Sequence, residues 1–228
     1  MAASDALRQA AVREVLDAYQ DLVEELGLCP WARPARRGGE LRVHVEILAD
    51  HAGAEAGIAA LVSRLVEVTR AWDVDPGMRV GLLVVPDLPL SPPGWRAVRD
   101  AVGARAPRYV LADFHPESEG GGENADRLVG MLRRSPDPFL QLVPHAVMRA
   151  IDRPPYIPSP AEQAAILANP LGVPPPPVDP RERVALDNFA TVQALGLAEL
   201  EARLAALQAL RRRRYAEVGL TLPASAEA

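Results

Sequence analysis

RVGLLVVPDL, residues 79–88, carries an unbroken apolar run from Val80 to Val85. A strand with one wet face alternates apolar and polar residues. A short continuous run belongs to a central strand covered on both faces. Pro86 ends it, because proline cannot donate to a sheet ladder. A strand covered twice needs a layer on each side, and its neighbours supply helices. Over residues 53–72, Ile58, Leu61, Val62, Leu65 and Val68 recur at helical spacing. After the strand, SPPGWRAVRDAVGAR reads as a short helix opened by Pro92 and Pro93.

The same reading extends outward. LRVHVEI (41–47) alternates as a half-buried strand does, and RYVLADF (108–114) is a third strand. ENADRLVGMLRR (123–134) reads as a helix, FLQLV (139–143) as a fourth strand, and PHAVMRAI as a helical turn begun by Pro144. Residues 4–26 place Val12, Val15, Leu16, Tyr19, Leu22, Val23 and Leu26 on one helical stripe. Ser4 is its expected N-cap and Gly27 its expected C′ residue. Strands alternating with helices predict an α/β layered sandwich with a mixed, partly parallel four-stranded sheet. The strand order does not follow from the pattern.

Beyond Asp152 the texture changes. DRPPYIPSP and NPLGVPPPPVDP are proline-rich, with two helical turns expected in AEQAAILA between them. A long helical region starts at Arg183, breaks at Gly196 and ends in Arg211 to Arg214. The arginine run is expected to be a solvated helix end, where the dipole favours positive charge. The expected organisation is an α/β core over 1–152, a proline-rich connector over 153–180 and a C-terminal helical extension over 181–228. That extension either packs back on the core or forms a homo-oligomer contact.

The 228 residues carry a formal net charge of −5. An acidic total argues against non-specific nucleic-acid binding. No apolar run is long enough for a membrane span, and the N-terminus lacks a signal-peptide pattern. A cytoplasmic protein is expected. Every basic residue apart from histidine is arginine, which excludes a lysine Schiff base. The single cysteine, Cys29, excludes an internal disulfide and a multi-cysteine metal site.

Chemistry-bearing residues gather in the non-periodic stretches. His115 follows the third strand in DFHP, and ligand-binding groups of α/β sheets collect beyond the carboxyl ends of strands. Asp113, two residues earlier, shares its face and could orient the imidazole. Gly120, Gly121 and Gly122 precede a helix but match no phosphate-loop fingerprint, so they read as a flexible turn. Glu123, Asn124, Asp126 and Arg127 occupy the first helical turn, where acids suit the dipole. Glu119 and Glu123 are also possible oxygen ligands beside His115, with His145 as a further histidine. Arg133 and Arg134 stand at the helix end, where arginine either caps carbonyls or grips an anion. Cys29, in GLCPWA, becomes a helix N-cap with a lowered pKa if Pro30 opens a short helix. Trp31 reads as a packing anchor or a pocket wall. His44 and His51 have no constellation around them.

These residues also resemble a family. GLCPWARP is similar to an LCPFA segment, and DFHP, Asn124 and RRSPDPFLQLV are similar to an FHP…NRSPYPxLHLL signature, both found in the bacterial domain-of-unknown-function family 1415. The likeness covers about residues 10–155. It implies that Cys29, His115, Pro116, Arg134, Ser135, Pro136 and Pro138 hold motif positions, and it implies no reaction. Gln141 stands where the family has a second histidine.

The resulting expectation is an enzyme acting on a small carboxylated or amide-containing molecule by thiol-dependent transfer or hydrolysis. Cys29 and His115 form the reactive pair, and Asp113 or Asn124 orients the imidazole. Arg134, Arg127, Ser135 and Trp31 bind substrate. A second reading has His115, Glu119, Glu123 and His145, or Cys29, hold a divalent metal, or has Cys29 bind haem. A third makes the chain a non-catalytic interaction module.

Overall fold

A computed structural model describes residues 2–48, 54–149, 168 and 180–222. The connector expected over 153–180 lies outside these residues apart from Ala168 and Pro180. The turns expected in AEQAAILA, apart from Ala168, and His51 lie outside them too. The elements run α1 (Ala2–Glu25), α2 (Ala32–Arg37), β1 (Leu41–Val45), α3 (Ala54–Asp73), β2 (Val80–Val84), α4 (Pro92–Gly103), β3 (Tyr109–Phe114), α5 (Ala125–Leu132), β4 (Phe139–Pro144) and α6 (His145–Arg149). Then follow α7 (Pro180–Leu195) and α8 (Leu197–Glu217).

The four strands form one mixed sheet in the order β1-β2-β4-β3. β1 and β2 are parallel, and β4 is antiparallel to both β2 and β3. β1, β2 and β3 therefore share one direction, with β4 inserted between β2 and β3. The expected α/β layered sandwich with C-terminal helices is the fold, and every residue of β2 is buried.

Period-two alternation divides the sheet between two cores. Val80, Leu82, Val84, Phe139 and Val143 pack against α1, α2 and the C-terminal helix on one face. Leu83, Val85, Leu140, Leu142 and Tyr109 pack against α3 and α4 on the other. The first face is called the α1 face below, and the second the α4 face. Gly81 belongs to β2 because a Cβ there would lie 2.4 Å from the ring of Trp72.

Helix ends follow local chemistry. Gly27, at φ +64°, takes the left-handed conformation expected after α1. Ser4, expected to cap α1, lies inside it, because the helix begins at Ala2. The N-cap position of α4 is Ser91, without a side-chain cap bond. Pro92 and Pro93 follow it and have no N–H groups to satisfy. Asn124 caps α5 by accepting from Arg127 N–H at 2.9 Å.

The arginine run does not behave as a solvated end. Arg212 and Arg213 are exposed, but Arg211 is buried. Its Nε lies 2.6 Å from Asp137 Oδ1, and its Nη2 donates to Pro86 O at 2.8 Å. Tyr215 Oη donates to the other oxygen of Asp137. Helical spacing puts Arg211 and Tyr215 on one face of α8, against the loop that enters β4. α8 also packs along α1, and Tyr215 and Leu220 join the same core as Val12 and Val15.

This network makes a measurable difference between two arginines of one run. Asp137→Ala strands a buried guanidinium, and urea unfolding should show a loss of about 3–5 kcal/mol. Glu14→Ala removes one of the two exposed partners of Arg214 and should cost no more than about 1 kcal/mol.

Candidate functional site

A half-open cavity of about 300 Å³ lies on the α1 face of the sheet. Its floor is sheet residues including Leu82, Ala112, Phe114 and Gln141, and its walls come from α1, the Cys29 turn, the end of α5 and α7. Tyr19, Phe114 and Phe139 give it an aromatic side: Phe114 and Phe139 stack at 4.4 Å, and Tyr19 meets Phe139 edge-on at 5.8 Å. Asn188 of α7 closes one corner by donating to Leu28 O at 3.1 Å.

Cys29 lines this cavity and is free and half-buried. The helix after it begins at Ala32 with Trp31 as its cap residue, so Cys29 is not the N-cap expected with Pro30 opening the helix. The sulfur still receives donors. The backbone N–H groups of Trp31 and Ala32 face it, and Gln141 Nε2 lies 3.5 Å away. Burial pushes the thiol pKa up, and these donors pull it down less strongly. The resting group is a thiol, not the activated thiolate expected from the sequence. Burial, with Cys29 beside it, likewise holds the Tyr19 hydroxyl well above the usual tyrosine range. Tyr19 Oη donates to Leu132 O at 3.4 Å. Trp31 lines the cavity as well, and its Nε1 is buried without a hydrogen-bond partner among the described residues.

His115 is elsewhere. It follows Phe114, which faces the cavity, so alternation turns its side chain to the α4 face. It is buried, and both ring nitrogens are occupied. Nδ1 accepts from Glu117 N–H at 3.1 Å, which leaves Nε2–H to donate to Leu90 O at 2.9 Å. Burial lowers its pKa. The structure does not bring Cys29 and His115 together: they sit on opposite faces of one sheet.

The remaining expected residues also separate. Asp113 shares the α4 face with His115, as alternation predicts, but its carboxylate binds arginines: Arg99 Nη1 donates to it, with Arg133 at 3.6 Å and Arg96 at 4.0 Å. Asn124 caps α5 and does not orient the imidazole. Arg127 is exposed and lies 3.7 Å from Glu123. Arg134 is engaged by backbone carbonyls. Its Nε and Nη2 donate to Ser118 O and Gly120 O at 2.9 and 3.2 Å, holding the glycine loop. Ser135 is buried, with Oγ donating to Asp137 O at 2.5 Å. Ser135 and Arg134 instead border a second cavity of about 280 Å³ beneath α8, with Pro116, Pro136, Leu204 and Gln208.

The glycine loop is packed rather than free. A Cβ on Gly120 would stand 2.0 Å from Met131 N, and one on Gly130 would stand 1.9 Å from Glu119 O. The loop lies flat on α5 because both residues lack a side chain. The expected metal set is not assembled. His115 follows the end of β3, whereas His145 follows Pro144, the partner of Tyr109 at its start. A six-residue strand holds those two ends roughly 20 Å apart. Among the described residues no group of three His, Cys, Asp or Glu side chains could hold a metal ion.

Gln141 was not expected from the sequence as a binding group, and Arg133 was expected only as a helix-end arginine that caps carbonyls or grips an anion. Gln141 is the one polar residue in FLQLV, and a polar side chain inside a central strand was the signal. Arg133, beside the motif arginine, contributes to the cavity wall.

Fold and cavity together define a three-layer α/β protein with a small, mainly apolar pocket against the sheet. Comparison with models of known families, with curated proteins and with solved structures found no match. No helix among the described residues is long and apolar enough to cross a membrane.

The geometry of His115 gives a pH signature. The fold keeps it neutral, while the unfolded chain protonates it near the ordinary value of about 6.5. The unfolded state then binds more protons, so stability should fall as pH drops below about 6.5. In His115→Asn, the slope of unfolding free energy against pH between about 6.5 and 5 should flatten.

Proposed function

We propose that the protein is a small-molecule enzyme whose reactive group is Cys29, acting by transfer or hydrolysis on a mainly apolar molecule with an amide or carboxyl end. The observation that carries this reading is a free thiol in the wall of an apolar cavity with the Gln141 amide 3.5 Å from its sulfur. The apolar floor suits the body of such a molecule, as ligand pockets combine apolar walls with few polar groups. Gln20, Gln141 and the unpaired Trp31 N–H suit its polar end.

No histidine among the described residues lines this cavity, so His115 is not the base in this scheme. As the sulfur attacks the substrate's carbonyl carbon, its proton passes to the leaving amide nitrogen and the acyl–nitrogen bond breaks. Water or a second acceptor then takes the acyl group from sulfur. Gln141 Nε2 stabilises the negative charge on sulfur. The order of the Cys-Pro, His-Pro and Arg-Ser-Pro-x-Pro motifs supports membership of family 1415 as part of the same proposal. In that reading Gln141 takes the place of the family's second histidine, at 3.5 Å from the sulfur.

Alkylation of Cys29 by iodoacetamide tests the site. Its pH profile should rise with an apparent pKa above the ordinary thiol value of about 8.5. Gln141→Leu removes a donor to the thiolate and should move that profile higher still. His115→Asn should leave it in place. Small aryl or alkyl carboxylates and amides should protect Cys29 from alkylation. Absence of protection across such a set, with an ordinary profile in Gln141→Leu, would sink the reading.

A further inference from the structure

Asp113 is a single buried carboxylate that three guanidiniums surround. Arg99 already satisfies it: Nη1 donates to Oδ1, while its Nε and Nη2 bind the exposed Asp100 at 3.0 and 2.8 Å. Arg96 and Arg133 stand further off, at 4.0 and 3.6 Å. Neither donates a hydrogen bond from its side chain to a protein acceptor among the described residues. They come from different elements, Arg96 from α4 and Arg133 from the C-terminal end of α5. They meet because β3 is an edge strand. His115 N–H donates to Arg133 O at 3.0 Å beyond that edge, which docks the end of α5 beside Asp113.

A structural ion pair explains Arg99 and leaves the other two unexplained. Gathering three like charges is unfavourable unless something offsets them, and Asp113 offsets one. Asp100 is mostly exposed, so water screens its charge. The Arg133 guanidinium is held below its usual range by burial and by Arg99 and Arg96. Open arginine donors arriving from two directions suit a tetrahedral oxyanion with a double negative charge.

We infer that Arg96 and Arg133, set around Asp113 at the free edge of β3, form a binding site for a phosphate dianion. Arg99 and Asp113 are its positioning residues. Arg133 also contributes to the wall of the Cys29 cavity, whereas Asp113, Arg96 and Arg99 do not line it. The inference does not depend on Cys29 being reactive.

Isothermal titration of the full chain with inorganic phosphate at pH 8 tests it, with ionic strength held constant by sodium chloride. Saturable binding to one site is expected. Arg96→Gln and Arg133→Gln should each weaken it roughly tenfold or more, the scale of a charge-assisted hydrogen bond. Arg213→Gln, a change at an exposed arginine of α8, should leave it unchanged, as should Cys29→Ser. The site is disproved if phosphate gives no more heat than added chloride, or if Arg213→Gln weakens binding as much as Arg96→Gln. Acetate binding as tightly as phosphate would overturn the dianion assignment. Because Arg96 is largely exposed, its variant folds without a core change, so loss of binding there cannot be put down to unfolding.

Discussion

The contact between Asp137 and Arg211 joins the two ends of the folding problem. Asp137 sits in the turn that leads into β4, and Arg211 lies two turns of helix from the end of α8. Both are buried, and each has more than one partner: Tyr215 shares the carboxylate, and Pro86 O shares the guanidinium. A buried charge is costly unless it is paired and hydrogen-bonded, so the loop, the end of β2 and α8 hold only as a set. With α8 in place, α1 is covered and the α1 face of the sheet becomes a core.

That arrangement decides where chemistry can occur. In an open α/β sheet the carboxyl ends of parallel strands offer the usual crevice. Here β4 is inserted antiparallel, and its entry loop, Pro86 and α8 occupy that end. The cavity opens instead on the α1 face, over a floor in which Leu82, Gln141 and Ala112 are cross-strand partners. Cys29 faces this floor, and His115 does not. The motif arginine and serine are spent on the glycine loop and the Asp137 turn, which accounts for them as structural residues.

Much of the architecture was legible in the sequence. The apolar run at Val80–Val85 identified a strand buried twice, and all four strands were found within a few residues of their expected bounds, although Pro144, expected to open a helical turn, instead ends β4. The helical stripe of α1 and the break at Gly196 were equally plain. Less visible was the fate of individual polar residues. Asn124 looked like an orienting group and is a cap, because capping depends on where the helix starts. Gly120 looked like a flexible turn, yet it is fixed by Gly130 ten residues later.

Local pattern by itself determined the elements and the face of each strand residue, because side-chain period and turn chemistry are properties of neighbouring residues. Alternation even placed Asp113 and His115 together. Pairing across the chain was decided only by the tertiary structure. Inserting β4 between β2 and β3 set Gln141 beside Cys29 and left β3 as an edge. Docking α8 buried one arginine of four. Those outcomes depend on contacts between residues more than 100 positions apart, 112 for Cys29 and Gln141 and 125 for Pro86 and Arg211. No periodicity encodes such contacts, because they arise from the packing of complete elements against one another.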